Sequence, residues 1–209
     1  MKIIAHRGYW NENIARNSSQ AIRTALERGY GFESDVRDYM GEMVISHNIA
    51  DASCQSAEEV FRWLHDFNDG YCFAINIKAD GLKDILQNYL IKYNVKNYFL
   101  FDMSIPQMVE FREMGLRYFT RQSDIELEPC LYEDAAGVWI DGFWRVDWIT
   151  EDLIQKHLQV GKDVCLVSPD LHGKEYKDFW RKVKSWQLND DRLYLCTDYP
   201  DEAKRFWEG

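Results

Sequence analysis

The sequence alternates short apolar runs with longer segments in which apolar residues recur every three or four positions. The short runs are typical of buried strands and the longer segments of amphipathic helices. Predicted strands are 2–6, 32–37 (continued after a turn by 43–47), 71–78, 97–102, 117–121, 137–143, 163–168 and 192–198. Predicted helices are 17–29, one beginning at Ser56, 81–93, 105–114, 150–160, 173–187 and 200–208, with loop and weak helix over 123–135.

Eight strands alternating with helices predict an α/β protein, a single-domain (βα)8 TIM barrel over residues 1–209. A length of 209 residues is near the lower end for this fold, so helices and loops are expected to be brief. A doubly wound open sheet is the alternative. It is disfavoured because no Gly-x-Gly-x-x-Gly pattern follows the first predicted strand.

Charge and composition limit the partners. A formal net charge of −10 disfavours a nucleic-acid partner, which requires a basic surface. We expect no stable membrane insertion, since no apolar run approaches the roughly 18 residues of a membrane span. The chain begins with Met1 and runs directly into a strand, so no signal peptide is predicted and a cytoplasmic location is expected. The five cysteines are widely spaced and favour a reducing compartment, and Cys72, Cys165 and Cys196 lie in apolar runs and are predicted core residues. The oligomeric state is left open.

Ionisable residues stand where the first predicted strands end. His6 and Arg7 follow the first strand, Glu33 and Asp35 lie on the second, and His47 ends its continuation. Glu33 and Asp35 are two residues apart and therefore share one face of a strand. Two carboxylates on one face repel each other unless a cation lies between them. Oxygen ligands suit Mg²⁺ or Ca²⁺, so a divalent cation site is predicted here.

The ordered motifs resemble the glycerophosphodiester phosphodiesterase family, in the superfamily of phosphatidylinositol phospholipase C-like phosphodiesterases. The resemblance rests mainly on the N-terminal third of the chain. The matching segments are His6-Arg7-Gly8, Asn17-Ser18, Glu33-Ser34-Asp35-Val36 and His47, followed by Asn76-Ile77-Lys78 and Thr197-Asp198-Tyr199-Pro200. The resemblance implies a TIM barrel and a phosphoric diester hydrolase.

Three positions depart from the family pattern. Arg16 stands where the family has an acidic residue, and Asn48 where an Asp usually follows the second histidine. Asn76 replaces the third metal-binding carboxylate. An amide oxygen still binds a hard cation but has no charge, so weaker metal affinity is expected.

The resulting hypothesis is a metal-dependent phosphodiesterase that hydrolyses a small polar glycerophosphodiester. The residues assigned to it are His6 and His47 for acid–base catalysis, Arg7, Lys78 and Arg121 for substrate binding, and Glu33, Asp35 and Asn76 for the metal. Imidazole suits both proton-transfer roles because it exchanges a proton near neutral pH, but the sequence leaves open which histidine is the acid. An ion pair with Asp102 or Asp141 is an equal alternative for Arg121. His65 and His157 fall on predicted helices and are expected on their outer faces.

Two other functions fit the same motifs. A catalytically weak or degenerate barrel that binds a phosphate ligand is favoured by Asn48 and Asn76. A lyase of the spider phospholipase D type would require a lipid-facing apolar loop, and the sequence has no long apolar insert. The alcohol of the substrate and the formation of a cyclic phosphate are left open.

Overall fold

The computed structural model describes residues 1–67 and 70–209. Its strands are β1 (Lys2–Ala5), β2 (Gly31–Tyr39), β3 (Glu42–Ile45), β4 (Phe73–Ile77), β5 (Tyr98–Phe101), β6 (Phe119–Ser123), β7 (Gly137–Asp141), β8 (Asp163–Val167) and β9 (Leu193–Thr197). Its α-helices are α1 (Ser19–Glu27), α2 (Ala57–Phe67), α3 (Lys83–Lys92), α4 (Ile105–Glu113), α5 (Glu151–Gln159), α6 (Lys177–Ser185) and α7 (Pro200–Glu208). The chain divides into two compact units, residues 5–118, and residues 1–4 with 119–209.

The unit of residues 5–118 contains three parallel strands in the order β5-β4-β2, with β3 antiparallel to β2. The hairpin turn between β2 and β3 is formed by Met40 and Gly41, both with positive φ, as tight hairpins require. Aromatic side chains join sheet and helix: the rings of Phe32 and Phe73 stack with centroids 4.6 Å apart, and Phe61 of α2 meets Phe73 edge-on at 5.7 Å. These contacts bury one face of β2 under the helices.

The second unit contains parallel strands in the order β9-β8-β7-β6 and the helices α5, α6 and α7. Its core combines aliphatic residues of the strands with aromatic residues of α6. The buried Trp180 packs against Phe206 and Trp207 of α7 and donates from its indole nitrogen to Ser168 Oγ at 2.8 Å. A buried indole N–H with a partner removes the cost of placing this large side chain in the core.

The element order bears out the predicted (βα)8-barrel fold class, and most predicted elements are confirmed. The exception is the weak helix predicted within 123–135: Ser123 ends β6, and residues 124–136, all of which are described, form bends and turns with no helix. Thr120 Oγ1 donates to the carbonyl of Cys130, and Lys162 Nζ to that of Ala135, so this segment is held by side chains instead of helical bonds. One domain over residues 1–209 stays a prediction.

Histidine 157 is the second correction. Its position on a helix predicted a side chain on the outer face, but it is buried, with 4% of its surface exposed. Its Nδ1 lies 2.8 Å from the hydroxyl of Tyr132 and its Nε2 lies 2.9 Å from Gln122 Oε1. The amide oxygen can only accept, so Nε2 carries the proton and Nδ1 accepts from the hydroxyl. Burial, and then the charge of Lys156, lower the pKa of His157 to about 4.

Two smaller expectations concern cysteines and membranes. Cys72, Cys165 and Cys196 are buried, as predicted for core residues, and all five cysteines are free thiols. Within residues 1–67 and 70–209, no helix has the length and apolar character needed to cross a membrane.

We expect the contribution of His157 to the stability of the protein to be lost as the pH is lowered from about 6.5 to about 4. The folded state holds His157 neutral, whereas the same histidine in the unfolded chain takes up a proton near pH 6.5. The stabilisation is therefore present above pH 6.5 and is lost as the pH falls through 4. Urea unfolding at several pH values measures the slope. The variant His157→Gln should show a shallower slope over this window, and equal slopes would contradict the assignment.

Candidate active site

The candidate site is built on β2, which buries two carboxylates. Glu33 and Asp35 are 1% and 0% exposed and lie on the same face of the strand. Asn76 of β4 is paired with Asp35 across the parallel ladder, so its side chain lies on that face too. The fold therefore brings together all three predicted metal ligands.

Each of these three side chains has a buried oxygen atom with no hydrogen-bond partner. Glu33 accepts the backbone N–H of Arg7 through Oε2 at 3.0 Å, and Asp35 accepts from Asn17 Nδ2 through Oδ2 at 2.8 Å. Their second oxygens, Glu33 Oε1 and Asp35 Oδ1, have no hydrogen bond, and neither does Asn76 Oδ1. Buried polar atoms without partners are rare in folded proteins and indicate a ligand or ion.

The electrostatics of the site reflect this burial. Burial, followed by the neighbouring Asp35 carboxylate, raises the pKa of Glu33 to about 7, against the opposing effects of His6 and Arg7. The two carboxylates therefore resist being charged together unless positive charge is added. A divalent cation would supply that charge.

Two permanent cations adjoin the carboxylates. Arg7 Nε lies 3.3 Å from Asp35 Oδ2. Lys78 Nζ donates to Asp102 Oδ2 at 2.9 Å and lies 3.7 Å from Asp35 Oδ1. An ammonium group has three N–H donors, so Lys78 keeps donors for a phosphate oxygen. Arg7 and Lys78 thus lie beside the predicted metal ligands, and their role in substrate binding stays a prediction.

The backbone is strained at three non-glycine residues of this site. Arg7, Asn17 and Asp102 have φ values of 56°, 58° and 67°. Left-handed backbone costs an L-residue about 1–2 kcal/mol. In each case the conformation accompanies a contact to the site: Arg7 with Glu33 and Asp35, Asn17 with Asp35, and Asp102 with Lys78. Such strain is concentrated at functional sites in folded proteins.

Asn17 is the residue that sequence reasoning missed. It was predicted to open α1, but the cap of this helix is Ser18, whose hydroxyl accepts from the backbone of Ala21. The amide of Asn17 instead accepts from Ser34 Oγ at 2.8 Å and donates to Asp35. It therefore fixes one carboxylate oxygen and leaves the other for a ligand. Because Asn17 directly precedes a helix cap, the sequence indicated a helix start and not a contact with Asp35.

The two predicted catalytic histidines differ in their surroundings. His6 is largely covered, and its Nε2 lies 3.9 Å from Glu33 Oε2. His47 lies in the exposed segment that follows β3, with its Nδ1 3.0 Å from Asn48 Oδ1. An amide oxygen can only accept, so Nδ1 of His47 carries the proton in this arrangement and Nε2 is left as a proton acceptor. Strand β3 ends at Ile45, two residues before His47, which explains the exposure.

A cavity of about 880 Å³ adjoins these residues. Arg7 and His47 both line it, together with Asn17 and residues from the loops on either side. This volume is within the range of about 300–1,000 Å³ that small-molecule sites occupy. Arg7 and His47, which follow β1 and β3, thus share one space that is large enough for a small polar substrate.

Arg121, the remaining predicted site residue, belongs to the other unit. It lies against the carboxylate of Glu126 and 5.3 Å from the ring centre of Phe143. Asp141 of the same unit is 2.7 Å from His172 Nε2. A role for Arg121 in substrate binding stays a prediction.

The donor set fits a hard divalent cation but falls short of a closed metal site. Two carboxylate oxygens and one amide oxygen are the ligands that Mg²⁺ and Ca²⁺ prefer, and both ions accept further oxygens from water or substrate. Within the described part of the chain, no group of three His, Cys, Asp or Glu side chains is arranged to hold a metal. Only two of the three candidate ligands here are of those types.

Comparisons with known proteins bear on the fold. No protein-family model matches the sequence, and no curated protein matches it. The structure is similar to a glycerophosphodiester phosphodiesterase from Parabacteroides distasonis, with a TM-score of 0.72, 15% identity, and coverage of 99% of this chain and 96% of the other. A glycerophosphodiester phosphodiesterase from Thermotoga maritima gives a TM-score of 0.70, 15% identity, and coverage of 97% of each chain.

The chain has the fold of the glycerophosphodiester phosphodiesterases. A Ca²⁺-dependent phosphatidylinositol-specific phospholipase C from Streptomyces antibioticus is also similar, with a TM-score of 0.60, 8% identity, and coverage of 99% of this chain and 95% of the other. The TIM-barrel fold and the structural resemblance to this superfamily, both predicted from the sequence, are thereby confirmed. At these identities the likeness concerns the fold alone, because one fold serves many functions.

We expect Gly8→Ala to destabilise the protein by about 3 kcal/mol, much more than Gly41→Ala. Both glycines have positive φ, 79° and 84°. A Cβ on Gly8 would meet the backbone of α1 at 2.7 Å, whereas a Cβ on Gly41 would meet nothing within 4 Å. Gly41→Ala therefore measures the cost of the backbone conformation alone. Chemical denaturation of both variants checks this, and equal losses would show that Gly8 has no tight packing against α1.

Proposed function

We propose that this protein is a metal-assisted phosphodiesterase that hydrolyses a small polar phosphodiester. The observation that carries the proposal is the set of three buried oxygens without a hydrogen bond on Glu33, Asp35 and Asn76. The proposal draws further support from the fold, which two glycerophosphodiester phosphodiesterases share.

The charges of the site favour a diester as the substrate. Ionised Glu33 and Asp35 bring two negative charges and Arg7 one positive charge, while Lys78 and Asp102 form a neutral pair. With a divalent cation these charges sum to a positive value, and the proton that His6 would carry as a donor adds to it, which complements the negative charge of a phosphodiester. A cation held by Glu33, Asp35 and Asn76 would act as a Lewis acid on a phosphoryl oxygen. The Ca²⁺ dependence of the similar phospholipase C favours Ca²⁺, and Mg²⁺ fits the same oxygens.

The remaining roles, charge stabilisation and proton transfer, are assigned to four side chains. Arg7 and Lys78 stabilise the charge that grows on the phosphoryl oxygens, Arg7 through its planar fork and Lys78 as a point charge. We assign His47 as the proton acceptor, because Asn48 holds the proton on its Nδ1. We assign His6 as the proton donor, because it is the other imidazole of the site and its Nε2 lies 3.9 Å from Glu33 Oε2. Transfer to and from a positioned imidazole typically contributes about 10²–10⁴-fold to the rate.

A phosphate-binding barrel without turnover is the second candidate function. It is favoured by the amide Asn76, which lowers the charge of the cation site, and by the exposure of His47. The two functions differ in one measurement: the binding protein retains a phosphodiester unchanged, whereas the enzyme releases an alcohol and a phosphomonoester.

We expect turnover of a reporter phosphodiester to require a divalent cation and to stop in EDTA. Asn76→Ala should weaken Ca²⁺ or Mg²⁺ binding about tenfold, since one oxygen ligand is lost. Asn76→Asp should tighten it, since a charge is added without a change in size.

Calorimetric titration of both variants beside the unaltered protein measures the affinities. Melting curves in EDTA provide the control, because a buried Asp without a cation should lower the melting temperature and added cation should restore it. Unchanged affinity in both variants, or turnover after complete metal removal, would contradict the metal site.

We expect His6→Ala and His47→Ala each to lower kcat by about 10²-fold or more, as for removal of a general acid or base. His65→Ala is the matched control, because His65 is an exposed residue of α2 whose Nδ1 contacts the carbonyl of Tyr93. Circular dichroism checks that each variant folds. A near-native rate in either of the first two variants would remove that histidine from the mechanism.

A further inference from the structure

The wall of the 880 Å³ cavity has an unusual chemical composition. Fifteen residues line it, among them five amides, four serines, two arginines and one histidine. Within this described set there is no Asp, no Glu and no aromatic residue. Every ionisable group of the wall apart from the thiol of Cys54 is therefore either a permanent cation or an imidazole.

One of the two arginines is held by stacking. The guanidinium of Arg16 lies over the ring of Trp10, with its central carbon 3.9 Å from the ring centre. Stacking uses the flat face of a guanidinium, whereas its N–H groups lie in the plane and point outward from the edge. Arg16 also lines the cavity. Because it stacks on Trp10, its side chain is restricted before any ligand enters the cavity. A restricted guanidinium loses less entropy when it binds an anion.

Another part of the wall is also fixed. Gln55 donates from Nε2 to the carbonyl of Asn17 at 2.7 Å and contacts the hydroxyl of Ser19. These bonds join the segment before α2 to the segment before α1, and both segments line the cavity. The cavity is therefore bounded by residues that hold one another in place and that offer amide and hydroxyl groups.

We propose that this cavity binds the alcohol half of the substrate and selects an alcohol that carries a second anionic group, such as a phosphate or a carboxylate, with Arg16 as the residue that determines this specificity. This inference rests on the proposed phosphodiesterase function. Arg7 contacts the carboxylate of Asp35, whereas Arg16 stacks on Trp10. A quaternary ammonium alcohol is disfavoured, because such groups are bound by aromatic rings and carboxylates, and the described wall has neither.

The test compares three diesters of glycerol phosphate whose second alcohol is choline, glycerol or glycerol phosphate. We expect kcat/KM to be highest for the diester whose second alcohol is glycerol phosphate and lowest for the diester whose second alcohol is choline. Arg16→Gln should lower the ratio of kcat/KM between the glycerol phosphate and glycerol diesters about tenfold, as for loss of a charged hydrogen bond. The effect should appear mainly in KM, since the contact is remote from the phosphorus.

Arg23→Gln is the matched control. Arg23 also lies over a tryptophan, with its guanidinium 5.9 Å from the ring centre of Trp63, but it does not line the cavity. Its replacement should leave the ratio unchanged. A preference for the choline diester, or equal ratios in Arg16→Gln and the unaltered protein, would overturn the inference and leave the phosphodiesterase proposal standing.

A binding measurement separates the two proposals. If no diester is turned over with Ca²⁺ or Mg²⁺ present, the phosphodiesterase proposal fails. Calorimetric titration of the EDTA-treated protein with inorganic phosphate then decides the role of the cavity. At least fivefold weaker binding by Arg16→Gln, with no change in Arg23→Gln, would support an anion site at Arg16. Equal binding by all three proteins would overturn it.

Discussion

Burial of two carboxylates on one face of β2 is the constraint on which the rest of the candidate site depends. An ionised carboxylate in the protein interior is costly unless it has partners, and two of them side by side raise the cost. The two carboxylates interact with the backbone N–H of Arg7, the side-chain amide of Asn17 and the cationic groups of Arg7 and Lys78. The hydrogen bonds satisfy one oxygen of each carboxylate, and Lys78 Nζ lies 3.7 Å from the second oxygen of Asp35. The arrangement is incomplete without a further positive charge.

The cost of that arrangement extends beyond β2. Arg7, Asn17 and Asp102 all adopt left-handed backbone to make their contacts, and Gly8 brings the chain close enough to α1 that a side chain would not fit. None of this would be selected for stability alone, because an apolar pair at the two carboxylate positions would need none of these contacts. We infer that a functional requirement maintains them.

Much of the fold and part of the site could be predicted from the sequence. The spacing of Glu33 and Asp35 fixes a common face as soon as 32–37 is recognised as a strand, and Asn76 follows from the same argument on the next parallel strand. Side-chain contacts between residues far apart in the sequence could not be predicted from the sequence. The burial of His157 depends on Tyr132 and Gln122, which are 25 and 35 residues distant. The segment 124–136 is held by hydrogen bonds from the side chains of Thr120 in β6 and of Lys162. The spacing of apolar residues in the sequence does not predict such hydrogen bonds.

The alternation of faces along β2 also limits how a gene for this protein can change. Phe32 packs toward the helices, whereas Glu33 and Asp35 face the opposite way. Insertion or deletion of a single codon within β2 would exchange the two faces of the strand beyond that point. A carboxylate would then point toward the helices, and an apolar side chain would point into the site. Length variation is tolerable at the exposed Met40-Gly41 turn a few residues later. Among homologous genes, alignment gaps should therefore fall at this turn and spare the strand before it.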